Sequence, residues 1–350
     1  MDSVTVSRLG LLVAALTIGS PDALRGVQCP DGSSPPCRRY TPPSPKVAAD
    51  RLAVLPFAVI GGPSVASLGQ GMVDLLSRNL DGAEGLRTID PGTIVTLVGR
   101  HGGSTPPDVG AGRAIARRLG AGLYVLGSMH VVGPRLRIQA RLYDEANVAA
   151  GPQSQGSVEG DTTQLFELVD RLSAQLLLAR RRGPALLRAP TAALTTHSLP
   201  ALKIYLDAEQ ALRAGKVDSA IAGFQRAGVE DSTFALAHYR LAVSAVWVGP
   251  GLPAPRWGLA GAAARLAVAF GDRLSTRDRR LLTAYARYFR GAADSAEQEY
   301  RAILADYPDD LDAEFELGNL LHYYNPLHGR PRAEARELFD RVLALDPGFL

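Results

Sequence analysis

The chain is predicted to be an α/β domain followed by an all-α solenoid of helical repeats, and three observations carry that prediction. Between Arg51 and Arg182, extended apolar runs alternate with segments of helical periodicity; from Ala201 onward a period of 34 residues sets in; and a stretch rich in chain breakers and small residues, 183–198, separates the two. With 350 residues, 46% apolar and 21% charged, the chain is long enough for two cores and too apolar for disorder. The formal net charge is only +3, and lysine occurs at Lys46, Lys203 and Lys216 alone, the other cationic side chains being arginine. The dense basic run Arg180-Arg181-Arg182 abuts Gly183-Pro184 and reads as a solvated helix end, so no nucleic-acid partner is expected.

The amino terminus points to export. Leu9–Ile18 is an apolar run preceded by Arg8 and followed by Gly19-Ser20-Pro21. Ten residues span about 15 Å as a helix, short of a bilayer core of about 30 Å but suited to the apolar region of a secretory signal. Residues 1–24 are therefore expected to be a signal peptide or a short anchor, the only membrane contact foreseen, with a periplasmic or secreted location for the rest. A Pro/Ser-rich linker, 25–50, follows and holds both cysteines. Cys29 and Cys37 enclose seven residues with Asp31-Gly32 and three prolines, so the loop is able to close a disulfide in an oxidising compartment; two free thiols are the alternative. Zinc would require two further ligands at short spacing, and no metal site is expected.

The α/β domain is assigned to 51–182. RLAVLPFAVI, 51–60, is a continuous β-favouring run of the kind covered on both faces, expected as a central strand. After Gly61-Gly62-Pro63, Leu68, Met72, Leu75, Leu76 and Leu80 recur at helical spacing; LRTID, 86–90, reads as a short strand and 107–119 as a helix. GLYVLGSMHVV, Gly133-Pro134 and RLRIQARLYD then form a hairpin, with Leu136, Ile138, Ala140 and Leu142 on a buried face and Arg135, Arg137, Gln139 and Arg141 on the other. A short strand at 156–158 and a helix from Thr162 to about Arg182 complete the unit.

The order LAVLPF, GMVDLLSRNL, LRTID, GRAIARRLGA, LYVLGSMHVVGPRLRIQARLYD, FELVDRLSAQLL resembles the TolB amino-terminal-like domain over about 130 residues, most specifically in LAVLPF and in Leu119–Ser128. That resemblance implies a binding or assembly module with no catalytic residue of its own, placed in bacteria between an envelope anchor and helical repeats, sometimes behind a kinase or transcription-factor head. A second pattern competes: a strand at 52–57, Gly69-Gln70-Gly71 opening a helix, and Asp90 ending the next strand imitate a dinucleotide-binding unit. Its chemistry fails. About a dozen residues separate the strand from Gly69 where a tight turn is needed, and Asp74 occupies the third glycine position, where its carboxylate would face pyrophosphate.

From 199 to 350 four repeats are expected, starting near 201, 235, 277 and 311. In the first, Ala208, Gly215, Ala220, Phe224 and Ala227 stand at positions 8, 15, 20, 24 and 27; in the third, Ala284, Gly291, Ala296, Tyr300, Ile303 and Pro308 keep the register. Small residues at 8 and 20 let paired helices approach, Gly ends the first helix and Pro stops the second. The repeats at 235 and 311 are interrupted by GPGLPAPRWG and NPLHGRPR. This pattern resembles tetratricopeptide repeats, which implies a groove lined by the first helix of each repeat that takes a protein or peptide partner. The groove positions hold Tyr205 and Glu209 in the first repeat, Tyr239 and Trp247 in the second, Tyr285 and Tyr288 in the third, and Phe315, Asn319, His322 and Tyr323 in the fourth. Aromatic anchors of this kind supply contact area at low entropy cost; the alternative for each ring is packing inside the solenoid. On the last helix Leu338, Val342 and Leu345 are expected to form an uncapped apolar edge open to self-association.

No phosphate-cradling GxxxxGK[ST], GxSxG, HExxH or kinase motif set is present, and six scattered histidines lack metal-ligand spacing, so neither an enzyme nor a cofactor is expected. The function expected is a non-enzymatic scaffold or adaptor of the bacterial envelope. The alternatives are a sensory or regulatory segment of a serine/threonine kinase or cyclase-type protein and, third, a nucleotide-dependent enzyme.

Overall fold

A computed structural model describes residues 46–61, 66–100, 106–178, 196–247, 254–346 and 349. The expected signal or anchor, the Cys29/Cys37 pair, Pro347, and most of the segments 25–50 and 183–198 lie outside the described residues. Among the described residues the chain is a mixed α/β region, residues 48–178, followed by eight α-helices.

The sheet contains β1 (Ala48–Val54), β2 (Ala58–Ile60), β3 (Arg87–Thr88), β4 (Ala121–Val132), β5 (Arg135–Asp144) and β6 (Ser154–Asp161). Their order is β3-β1-β4-β5-β6, with β2 also paired to β4. β1 runs parallel to β3 and β4, and β4, β5 and β6 form an antiparallel meander. The hairpin turns at Gly133, whose φ of 59° is one that glycine adopts without strain, and Val132 faces Arg135 across it. Leu136, Ile138, Ala140 and Leu142 are buried while Arg135, Arg137, Gln139 and Arg141 are exposed. The face carrying the arginines is tied to β6 by Arg137 Nη2 and Glu159 Oε2 at 2.8 Å.

The run expected as one strand over 51–60 is two. The ladder breaks at Leu55-Pro56-Phe57 because Pro56 has no N–H to donate. Phe57 then turns its ring over Gly127 of β4, where a Cβ would lie 2.1 Å from the ring edge, so the stretches 52–57 and 119–128 meet in space.

Four helices flank the sheet: α1 (Ala66–Leu80), α2 (Pro91–Arg100), α3 (Val109–Arg118) and α4 (Leu165–Leu178). α1 and α4 bury Met72, Leu76, Leu168 and Leu172 on one face; α2 and α3 bury Ile94 and Ile115 on the other, around Tyr124 stacked on Tyr143 at 5.2 Å. The sequence reading did not foresee α2, because Thr93-Ile94-Val95-Thr96 carries the β-branched pattern of a strand. It starts nonetheless. Asp90 accepts the Thr93 N–H at 2.7 Å and Pro91 stands in the first turn, where its missing N–H costs nothing.

The helical region pairs α5 (Leu199–Arg213) with α6 (Val217–Glu230), α7 (Ala235–Ser244) with α8 (Trp257–Ala269), α9 (Thr276–Phe289) with α10 (Ala293–Asp306), and α11 (Leu311–Tyr324) with α12 (Ala333–Leu345). The turns at Gly215 and Gly291 match closely. Their φ angles are 73° and 82°, and Lys216 N–H and Ala292 N–H each donate back at 2.9 Å, to Ala211 O and Arg287 O. Ala208, Ala220, Ala284 and Ala296 are buried where paired helices touch, and a Cβ on Gly223 would meet the Ala208 Cβ at 2.6 Å. The last helix differs from expectation. Leu338 and Val342 are buried, because their side of α12 packs on α11, Leu345 is half-buried, and the exposed leucine of that helix is Leu343.

Candidate functional site

The helical region does not stand apart from the sheet. One apolar core runs from the α1/α4 face of the sheet into α5 and onward through the helix pairs, with Leu206 of α5 closing on Gly71 of α1. Beside this apolar seam lies an ionic one. Arg277, at the start of α9, is buried between Asp310, which its Nε meets at 2.6 Å, and Asp90, the residue that caps α2. Arg51 of β1 pairs with Asp309, and Asp309 also accepts the Asp90 N–H at 2.8 Å. Arg78 of α1 pairs with Asp278, and Tyr307 O–H donates to Asp81 at 3.1 Å. The α/β domain thus grips the turn before α11 and the start of α9.

Charge is unevenly settled along this seam. Burial works to raise Asp90, but Arg277 and the Thr93 N–H more than offset it and hold its pKa below the ordinary value. Asp309 and Asp310 are pushed up, by burial first, against the pull of Arg51 and Arg277 respectively. Farther along α11 burial lifts Glu314 to about 7 and Glu316 to about 8, with Asp312 adding to the second. Arg341 partly offsets burial at Glu314 from 2.7 Å. Glu316 lies among Tyr239, Tyr285, Tyr288 and Tyr300, whose hydroxyls burial and the Glu316 charge both push up.

Between the start of α2 and the helices lies a cleft that opens to solvent. α2 supplies Asp90, Gly92 and Thr96 at its start; α5 supplies Glu209, Leu212 and Arg213; Arg240 of α7, Trp247, Leu311, Asp312, Asp346 and Phe349 complete the wall. Arg240 bridges Glu209 and Asp312, at 2.8 Å to each, while Arg213 stands 3.6 Å from Glu209. Thr96 O–H donates to Asp346 across the cleft at 3.3 Å. Phe349 packs on Trp247 and Phe315, with ring centroids 6.0 and 4.9 Å away.

The ten expected groove residues divide in two. Tyr205, Tyr239 and Tyr285 are each 2% exposed and serve as core: Tyr205 packs on Phe224 and Phe234, and Tyr285 meets Tyr239 at 5.9 Å and donates to Ala242 O at 2.9 Å. Glu209, 6% exposed, is held by Arg240 but reaches the cleft. Trp247, Tyr288, Phe315, Asn319 and His322 are half-buried, and Tyr323 is 52% exposed. Of the ten, Glu209 and Trp247 line the cleft. Sequence reasoning missed α2, Arg240, Asp309 and Asp310 as parts of this arrangement. The one available signal was the pairing of Asp90 with Pro91-Gly92, a helix start read instead as the end of a strand.

Gly69 and Gly71, the glycines that imitate a dinucleotide motif, are taken up by packing. A Cβ at Gly69 would meet Phe57 O at 2.6 Å and one at Gly71 would meet Leu206 at 2.5 Å. Among the described residues no group of three or more His, Cys, Asp or Glu is arranged to hold a metal ion, and no helix is long and apolar enough to cross a membrane. No protein-family model matches the chain, and a search of curated proteins found no match.

Proposed function

We propose that the protein is a non-enzymatic scaffold or adaptor of the bacterial cell envelope, exported to the periplasm or secreted, that binds a protein or peptide through the inner surface of tetratricopeptide-like repeats. The observation that carries this reading is the recurrence of one helix-pair unit: the Gly215 and Gly291 turns share φ and hydrogen bonds, and the same small residues sit where each pair touches. Stacked units of this type present side chains of successive first helices along one surface. Here Tyr288, Asn319, His322 and Tyr323 keep accessible area, whereas the deeper tyrosines hold the stack together. The TolB-like character of residues 51–182 belongs to the same proposal, as the module that would place the repeats in an assembly.

The experiment is affinity capture from envelope extracts with the full chain and with a chain carrying Asn319→Ala and Tyr323→Ala, followed by binding of each captured protein in purified form. A partner that binds the unaltered chain directly and loses at least tenfold in affinity to the double variant is the expected result. Captured proteins that bind both chains equally would defeat the reading.

A further inference from the structure

We infer that the edge of the helical region at which the first helix of each pair passes into the second is a peripheral docking surface for an anionic phospholipid bilayer. The inference does not depend on the groove proposed above.

Helices that alternate in direction put the connections within pairs at one edge of a stack and the connections between pairs at the other. The two edges differ in charge. Within pairs, residues 214–216, 245–256, 290–292 and 325–332 hold Lys216, Arg256, Arg290, Arg330 and Arg332 and not one Asp or Glu; between pairs, residues 231–234, 270–275 and 307–310 hold Asp231, Asp272, Asp309 and Asp310 against Arg273 alone. The acidic edge is used inside the protein, where Asp309 and Asp310 meet Arg51 and Arg277. At the cationic edge Arg256 pairs with Asp218 and Arg330 with Glu297, whereas Lys216, Arg290 and Arg332 are exposed and have no carboxylate partner among the described residues. Acids reach this edge in the first turns of the second helices, as Asp218, Asp294 and Glu334, and Glu334 is paired in turn with Arg301. A positive excess remains.

Apolar side chains gather at the same edge. Among the described residues the exposed Trp, Tyr and Phe side chains are Trp257, Phe289 and Tyr323, which stand at the start of α8, the end of α9 and the end of α11. Leu327, in the connection that follows α11, is 78% exposed. Trp257 lies against Phe289 with ring centroids 6.4 Å apart and Tyr288 meets Tyr324 at 5.8 Å, so these helix ends form one surface. Side chains projecting from successive helix ends make a rim, a shape suited to a flat partner. Indole and phenyl rings settle at the boundary between headgroups and acyl chains, while arginine and lysine stems carry their charges up to the phosphates. Anionic headgroups complement the positive excess, and a zwitterionic surface does not.

The chain has two tryptophans, and Trp257→Phe removes the one at the edge. The full chain is titrated with vesicles of phosphatidylcholine and with vesicles in which half of the lipid is phosphatidylglycerol, both carrying brominated acyl chains that quench tryptophan at the bilayer boundary. Binding is read from the quenching that the unaltered chain shows and Trp257→Phe lacks, a readout local to this edge and separate from attachment through residues 1–24. Quenching is expected at an at least tenfold lower concentration of the anionic vesicles, with the preference lost in molar salt. Arg290→Glu combined with Arg332→Glu is expected to weaken it at least tenfold in a chain whose circular dichroism is unchanged. Quenching alike on the two vesicles, quenching on neither, or quenching unmoved by the double charge reversal would each overturn the inference. Soluble polyglutamate binding as tightly as the anionic vesicles would assign the edge to an acidic polypeptide and overturn it as well.

Discussion

Glu316 offers the sharpest test of how this helical region is held together, because it is a buried carboxyl with no ion-pair partner among the guanidinium groups that serve its neighbours. It is 5% exposed, Asp312 stands one helical turn before it, and the Trp247 indole lies against it. Burial first, then the Asp312 charge, raises its pKa from 4.5 to about 8. The sign of the consequence follows from comparing native and unfolded chains. Below pH 4.5 both carry the proton and nothing is lost; between 4.5 and 8 the unfolded chain ionises while the native chain does not, so stability falls by about 1.4 kcal/mol per pH unit; above 8 both are ionised and the loss levels off. From pH 5 to pH 8 this one group should therefore remove about 3–4 kcal/mol. Glu316→Gln keeps the shape and abolishes the titration. Urea unfolding followed by helical circular dichroism, at pH 5, 6, 7 and 8, should show the variant gaining on the unaltered chain by that amount across the range. Glu314 and Asp310 titrate in both proteins and cancel in the difference. Parallel pH profiles for the two would refute the reasoning, since they would mean that Glu316 ionises in the native state as readily as in water.

Two further perturbations address the seam and the sheet. Arg277→Met strips the buried Asp90 and Asp310 of their shared cation and should cost about 3–5 kcal/mol in chemical denaturation; adding Asp90→Asn and Asp310→Asn should recover a large part, because the penalty comes from the stranded charges. Gly127→Ala drives a methyl into the Phe57 ring and should cost about 1–3 kcal/mol, with Phe57→Leu in the same chain restoring some of it; additive losses in the double variant would show that the two residues do not share a packing site.

What was legible in the sequence is what a short window encodes. The hairpin was readable because alternation from Leu136 to Leu142 and the Gly133-Pro134 break both lie within one local stretch. The helix pairs around Gly215 and Gly291 were readable because a glycine ending one helix and small residues at the contact are local requirements. The helix α2 was not, since its β-branched residues favour extended backbone and it forms because Asp90 caps it and Ile94 and Leu97 find a core beneath them. Arg277 and Asp90 are 187 positions apart, and no periodicity signals that they meet. The same limit governed the groove. Position in a repeat assigns Tyr205 and Tyr323 alike to a groove, yet they are 2% and 52% exposed, a difference set by which neighbouring helix covers them.

This division has a consequence for how a partner would engage the protein. Asp90, at the start of α2, shares a cleft with Glu209 of α5 and Arg240 of α7, and the ionic seam at Arg277 ties it to α9. Tyr288, Asn319, His322 and Tyr323, which keep accessible area on α9 and α11, do not line that cleft. A partner engaging the proposed surface would then do so outside the cleft, and its affinity would not require the carboxylates that the seam holds there.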